Sequence, residues 1–344
     1  MIEYKEVLVI YVGGTIGMQR NEYGVYIPIP NTFLNKVKNS EMHDAILAKE
    51  SGLQLQDNEL ILPNIGLKTV IYKIEEYSPL LDSSNMSTNE WIRIASDIKK
   101  NYDKFDGFVV LHGTDTMAYT ASALSFMLEN LQKPVIVTGS QIPIFETRSD
   151  AKDNFLSSLM FAGCYDIPEV CVFFASKLLR GNRTTKTSSN LLNAFESPNY
   201  HYLAEAGIEV HLYSHYIRPN KNQELSVHTD LNPNVGTLAF FPTITSSQLE
   251  AFLKPPIQGV VLQSYGAGNI PSNRVDLLIV LKEAVERGIV IINISQCARG
   301  PVSLSYETGK ALEEMGIISG VTDNYKERVK LLKENIRGEL TEIK

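Results

Sequence analysis

The sequence predicts an α/β protein of two domains. The larger N-terminal domain is built on a mostly parallel sheet flanked by helices, and the smaller C-terminal domain is Rossmann-like. Three observations carry this reading. Short apolar, β-branched runs recur and end abruptly in Gly, Thr, Ser, Asn or Asp. Segments of helical periodicity lie between them. A polar, turn-rich stretch at Arg218-Pro-Asn-Lys-Asn-Gln-Glu interrupts the pattern, which restarts near Val235.

The strands come first. Val7–Val12 runs into Gly13-Gly14-Thr15, and Phe108–Leu111 into His112-Gly113-Thr114-Asp115. Val135–Val137 precedes Thr138-Gly139-Ser140-Gln141, Gly259–Leu262 precedes Gln263-Ser264-Tyr265-Gly266, and Ile289–Ile292 precedes Asn293. Unbroken apolar runs of this length predict parallel strands buried on both faces. The helices follow. Ser87 and Glu90 have capping-box spacing ahead of Trp91, Ile94, Ala95 and Ile98, which share one face. Residues 116–131 are apolar nearly all round, as a buried helix requires. Ser247 and Glu250 predict another capping box, with Pro255-Pro256 closing that helix. Residues 273–287 predict an amphipathic helix with Gly288 at C′. The domains are expected at 1–209 and 235–344, joined by a linker over 210–234.

Composition bounds the function. The chain has 344 residues, 44% of them hydrophobic, which suffices for one large core or two modest ones. Its net charge of −7, with no sustained Lys/Arg run, argues against a nucleic-acid partner. Cys164, Cys171 and Cys297 form no CxxC or zinc spacing, and their odd number argues against a disulfide framework. The six histidines show no HExxH or similar cluster, so no metal and no cofactor are expected. The first apolar run stops at Gly13-Gly14, too short for a signal peptide, and no stretch reaches the roughly 18 apolar residues of a membrane span. The expectation is a soluble cytoplasmic protein without a membrane partner.

In open α/β sheets, ligands bind beyond the carboxyl ends of the strands. Those ends are dense in hydroxyls and glycines here. Gly13-Gly14-Thr15 permits close backbone approach beside a hydroxyl, and Thr114-Asp115-Thr116 sits where a strand turns into a helix, whose first amides favour an anion. Gly13-Gly14-Thr15-Ile16-Gly17 is neither a Walker A loop nor GxGxxG, and Gly266-Ala267-Gly268 lacks a third glycine at the right spacing. Taken singly, Thr15 reads as a turn threonine, Thr114-Asp115 as a helix cap, and Arg180–Lys186 as a solvated loop. Together they describe a small-molecule site rich in hydroxyls, with Asp115 and Lys186 as its charges. The residues alone do not name a substrate.

Seven segments in order resemble the asparaginase family, specifically its cytoplasmic type I branch. They are Gly13–Met18, Asp82-Ser83-Ser84-Asn85-Met86, His112–Ala118, Thr138–Pro143, Arg180–Lys186, Ser264–Asn269 and Arg337-Gly338-Glu339-Leu340. The resemblance implies hydrolysis of the side-chain amide of L-asparagine to L-aspartate and ammonia. It implies a homodimer or homotetramer whose active site is completed by a neighbouring subunit. It places the nucleophile at Thr15 and the lid tyrosine at Tyr26, with Tyr23 as the fallback. Ser84, with Ser83 and Asn85, would hold the substrate α-carboxylate, and Asp115 the α-ammonium. Thr114, Asp115 and Lys186 would form a second catalytic trio, and Asn269 would enter from the neighbouring subunit. A glutaminase side activity and a catalytically silent amino-acid sensor are the competing readings.

Two departures accompany the resemblance. Type I members with an allosteric asparagine site carry arginine where this chain has Gln263, while Thr185 and Cys297 match other positions of that site. Glutamine cannot grip a carboxylate bidentately as arginine does, so weak or absent activation is expected. The step Ile318-Ser319-Gly320 leads quickly into Val321–Tyr325 and a charged C-terminal helix, shorter than the family pattern. Residues 50–70 read as an insertion near the lid or surface.

Overall fold

A computed structural model describes residues 4–63, 68–300, 302 and 307–320. The chain divides into two compact units, Met1–Thr229 and Asp230–Lys344. The Arg337–Leu340 segment and the charged C-terminal stretch lie outside the described residues, as does part of the 50–70 insertion.

Among the described residues, the first unit is organised on a nine-stranded sheet. Five parallel strands form its centre, in spatial order Val170–Phe174, Val135–Thr138, Gly107–Leu111, Tyr4–Gly13 and Thr69–Leu81. Tyr4–Gly13 is central because its side chains from Val7 to Val12 are all buried, and so are all five of Gly107–Leu111. Such strands need cover on both faces. On one side Tyr11, Phe33, Phe155 and Tyr72 pack edge to face or tilted, with centroids 4.7–5.8 Å apart. The helices Thr88–Asn101, Met117–Met127 and Ala151–Cys164 bury Ile94, Leu124, Phe155 and Leu159. The first carries the expected capping box, Ser87 N–H donating to Glu90 Oε2 at 2.8 Å.

Antiparallel edges flank this centre. Glu59–Ile61 pairs with Thr69–Leu81, and Lys177–Arg180, Ala204–Ala206 and Val210–Leu212 extend the other side. Two sequence expectations change here. Residues 59–62 are not surface insertion: Leu60, Ile61 and Leu62 are buried in the core. Val210–Leu212, read as the start of a linker, is an edge strand of the first unit, and Ser226–Val227 pairs with Leu128–Glu129. Both segments are too short for their periodicity to register against polar neighbours.

The buried helix expected over 116–131 is shorter and less enclosed. It ends at Met127, and Tyr119 (68% exposed) and Phe126 (43%) face outward. Its apolar character all round therefore overstated its burial.

The second unit carries a parallel sheet ordered Val235–Ala239, Gly259–Ser264, Val290–Ser295 and Ile318–Ser319. Helices Ser246–Phe252 and Val275–Glu286 bury Leu249, Leu277 and Leu281 against Leu262 and Ile291. Burial along Gly259–Ser264 alternates, and Val290 is 44% exposed, so these strands are not buried on both faces as the apolar runs predicted. The capping box of the Ser246–Phe252 helix is Thr245 with Gln248, two residues ahead of the expected Ser247 and Glu250. Thr245 wins because its extended backbone sits at the true helix boundary. Gly288 closes the next helix at φ +92°, its N–H donating to the Val285 carbonyl while Ile289 N–H reaches Ala284.

Candidate active site

The site is built at the carboxyl ends of the central strands. The Tyr4–Gly13 strand breaks register against Thr69–Leu81 between Tyr11 and Gly13, and the chain turns into a 3₁₀ turn at Thr15–Gly17. Such irregularities re-aim a strand end. Gly14 is required there. Its φ is +91°, and a Cβ would lie 2.3 Å from the Gly113 nitrogen. A Cβ on Gly113 would in turn lie 2.4 Å from Ser83 Oγ. Three loops therefore meet in direct contact, those bearing Thr15, Ser83 and Thr114. The Thr116 hydroxyl donates to the Ser83 carbonyl at 2.7 Å and ties two of them together.

Thr15 is half-buried, and its hydroxyl takes no hydrogen bond from or to the described residues. Thr114 is 7% exposed, while Asp115 is open to solvent. Lys186 reaches both: its Nζ donates to Thr114 Oγ1 at 2.9 Å and to Asp115 Oδ1 at 2.8 Å. Lys186 is aimed by the short strand Thr185–Lys186, paired with Phe195–Glu196. The preceding turn Gly181–Arg183 lies against the Met117–Met127 helix, where a Cβ on Gly181 would be 3.1 Å from the Ala121 carbonyl. That turn follows the buried Arg180, whose guanidinium grips Glu169 through Nε at 2.6 Å and Nη2 at 3.0 Å.

Ser83, Ser84 and Asn85, the expected carboxylate-binding trio, separate in character. Ser83 is buried against Gly113, whereas Ser84 and Asn85 are exposed. Ser84 donates its hydroxyl to Asp82 Oδ1 at 3.0 Å, and that carboxylate also accepts the Ser84 amide.

Tyr26 stands on the hairpin Met18–Arg20/Tyr26–Pro28 that directly follows the Thr15 turn. Its hydroxyl donates to Glu146 Oε1 at 2.8 Å and accepts from Arg20 Nη2 at 2.7 Å, and Arg20 also bonds Glu146 at 2.9 Å. The Glu146 carboxylate raises the Tyr26 pKa and so holds the proton on the phenol. Tyr23, the fallback, is 81% exposed near the hairpin tip. Arg20 and Glu146 escaped the sequence reading. They lie 126 residues apart and carry no spacing that marks them as partners.

Behind Thr114 lies a second group that the sequence did not single out. His112 is 1% exposed and Thr120 fully buried. His112 Nδ1 contacts the Gly113 carbonyl at 2.7 Å, its Nε2 contacts Thr120 Oγ1 at 2.9 Å, and Trp91 Nε1 donates to the same hydroxyl at 2.9 Å. The eight-residue step from His112 to Thr120 crosses a strand-to-helix loop and the first turn of the Met117–Met127 helix, so no simple period reveals it.

The remaining candidates divide between the two units. Asn269 belongs to the second unit, on a turn closed by Tyr265 N–H donating to the Asn269 carbonyl and Asn269 N–H to the Tyr265 carbonyl, both at 2.9 Å. Gln263 and Cys297 are also in the second unit, at the ends of adjacent strands, where Gln296 Nε2 donates to the Gln263 carbonyl at 2.9 Å. Thr185 is in the first unit, exposed, next to Lys186.

An α/β unit that gathers a free threonine hydroxyl, a second threonine, a lysine and a carboxylate at its strand ends has the groups of a small-molecule hydrolase. Comparison with known proteins makes this specific. Residues 6–218 match the family model of the asparaginase N-terminal domain, and residues 234–332 match the glutaminase/asparaginase C-terminal domain. L-asparaginase 1 of Escherichia coli (strain K12) is 42% identical over 358 residues, covering 99% of both chains. An L-asparaginase of Dirofilaria immitis is 44% identical over 364 residues, which are 99% of this chain; the chain spans 62% of that relative's length. The crystal structure of L-asparaginase I from Vibrio cholerae superposes with a TM-score of 0.83 at 36% identity, covering 99% of this chain and all of that one. The chain belongs to the asparaginase family and is an enzyme of that family.

Proposed function

We propose that this enzyme hydrolyses the side-chain amide of L-asparagine to L-aspartate and ammonia through a threonine-linked acyl-enzyme. The observation that carries the reading is Lys186 Nζ bridging Thr114 Oγ1 and Asp115 Oδ1 beside the Thr15 turn. Binding an amino acid requires the carboxylate of Asp115 but neither a second threonine nor a lysine held on it.

In the proposed cycle, Thr15 Oγ attacks the amide carbon and an oxyanion forms near the backbone N–H of Thr114. The carbon–nitrogen bond then breaks. The proton released by Thr15 ends on the departing nitrogen, and ammonia leaves an ester on Thr15. Water oriented by Thr114, Asp115 and Lys186 attacks that ester and releases aspartate. A hydroxyl is a weak nucleophile without a base nearby. Tyr26 is proposed as the lid tyrosine over Thr15, with its proton governed by Glu146. Ser83, Ser84 and Asn85 would receive the substrate α-carboxylate, Asp115 the α-ammonium, and Asn269 a contact from a neighbouring subunit of a homodimer or homotetramer. We place the enzyme in the cytoplasm. Among the described residues, no helix is long and apolar enough to cross a membrane.

Ammonia release across an asparagine concentration series tests the proposal. Thr15→Ala is expected to abolish turnover and keep the fold, and near-normal ammonia release by that variant would refute the nucleophile. Hyperbolic kinetics are expected, because Gln263 replaces the arginine of an activator site. Comparable kcat/KM for glutamine would convert the assignment to a mixed amidase, since one methylene changes binding by only about 1–3 kcal/mol.

A further inference from the structure

The network behind Thr114 has only one consistent proton arrangement. A carbonyl oxygen only accepts, so His112 Nδ1 carries the hydrogen that meets the Gly113 carbonyl at 2.7 Å. Burial pushes the imidazole pKa down to about 4, so the ring is neutral and Nε2 bears no proton. Nε2 therefore accepts from the Thr120 hydroxyl at 2.9 Å, and that oxygen accepts from Trp91 Nε1–H at 2.9 Å. Every donor points one way, from Trp91 through Thr120 and His112 to the Gly113 carbonyl.

The peptide from Gly113 to Thr114 is planar, and in a trans peptide the C=O and N–H point in opposite directions. His112 pulls the carbonyl to its own side and so turns the Thr114 N–H to the other. Thr114 as a residue is nearly buried, and its amide has no hydrogen-bond partner among the described residues. Buried amides are rarely left unpaired, and a catalytic role is one of the reasons an exception is kept. Gly14 packs directly on Gly113, where a Cβ would lie 2.4 Å from the Gly113 Cα, so the Thr15 turn adjoins the residue that begins this peptide. The aligned donors also polarise the peptide and strengthen its N–H as a donor.

We infer that His112 is a positioning residue that holds the Gly113–Thr114 peptide so that the Thr114 amide serves the oxyanion. The inference rests on the proposed hydrolysis at Thr15. His112 touches neither substrate nor the reacting atoms; it acts through one backbone group.

Two substitutions separate this role from simple packing. In His112→Asn the side-chain nitrogen sits two bonds from Cβ, as Nδ1 does, and can still donate to the Gly113 carbonyl. In His112→Leu the volume remains but the donor is gone. His112→Leu is expected to lower kcat for asparagine about 10- to 100-fold, the range set by misplacing or losing one oxyanion donor. KM should stay within about three-fold, because ground-state contacts at Asp115 and Ser83 are untouched. His112→Asn is expected to recover most of the lost kcat. Thermal melting of both variants reports folding independently. A folded His112→Leu enzyme with kcat within two-fold of the parent overturns the inference, and so does a His112→Asn variant no better than His112→Leu. Absence of turnover by the unsubstituted enzyme overturns the hydrolysis reading as well.

Discussion

The loop that carries Lys186 hangs from a buried ion pair, and the cost of breaking that pair can be worked out. Arg180 and Glu169 have side chains only 4% exposed. Glu169 accepts Arg180 Nε and Nη2 in a fork and also the Arg218 amide at 2.7 Å. Arg180 Nη2 further donates to the Tyr216 carbonyl at 2.7 Å, and the guanidinium stacks 4.6 Å from the Tyr200 ring. The pair thus joins the strands Val170–Phe174 and Lys177–Arg180 to the segment 200–218. Glu169→Gln keeps the shape and leaves a buried guanidinium without its counter-charge. Removing one partner of such a pair costs about 3–5 kcal/mol. For a unit of this size each kcal/mol moves the midpoint by roughly 2–4 °C, so Tm should fall by roughly 6–20 °C. Arg180→Lys keeps the charge but loses the fork, and its fall should be less than half as large. Differential scanning calorimetry of the parent and both variants reads this directly. A Glu169→Gln enzyme melting within about 2 °C of the parent would refute the reasoning. So would an Arg180→Lys variant that loses as much as Glu169→Gln.

Two more outcomes follow from the same contacts. Gly14→Ala combines φ +91° with a Cβ 2.3 Å from the Gly113 nitrogen, whereas Gly52→Ala at φ +69° meets nothing within 4 Å. Urea unfolding should show Gly52→Ala losing about 1 kcal/mol and Gly14→Ala several times more, with its turnover gone; equal losses would mean that Gly14 is not packed as described. His112 titrates near 4 when folded and near 6.5 when unfolded. Between these values the unfolded chain binds more protons, so stability is complete above about 6.5 and falls as pH drops toward 4. The full loss is on the order of 3 kcal/mol, and urea unfolding at several pH values should show a shallower acid slope for His112→Asn than for the parent. Identical slopes would remove His112 from the acid sensitivity.

Thr69–Leu81 was hidden by Lys73, Glu75 and Glu76 within it, but Tyr4–Gly13, Gly107–Leu111 and Val135–Thr138 were legible because they carry unbroken apolar runs that end at glycine or hydroxyl residues. That pattern has one cheap explanation, a strand buried on both faces whose end opens on a site. The edges were not legible, because an edge strand such as Val210–Leu212 is three residues long and makes its bonds with distant chain. The C-terminal helix boundary slipped by two residues because Thr245, Ser246 and Ser247 all suit an N-cap, and only backbone geometry decides among them. Thr15, Thr114, Asp115 and Lys186 could be picked out through the family resemblance. Their contacts depend on residues that nothing in the local pattern marks: Glu146 on Tyr26, Glu169 on Arg180, and Thr120 on His112.

Those three unmarked partners share a logic. Each is a single polar side chain, 8, 11 or 120 residues from its neighbour, that removes a degree of freedom from it. Glu169 fixes the strand before the Lys186 turn, Thr120 anchors the Nε2 edge of His112, and Glu146 fixes the proton of Tyr26. The first two are buried, where an unpaired group is costly and the arrangement is therefore held firmly. The third involves exposed Arg20 and only half-buried groups, where an ion pair contributes little. Rigid second partners thus surround Thr114 and Lys186, while the hairpin bearing Tyr26 is tied by the weakest link. Under the proposed hydrolysis, a site that stays preorganised for the oxyanion and opens to admit asparagine calls for this division, with firm contacts at the Gly113–Thr114 peptide and a releasable one at the Tyr26 hairpin.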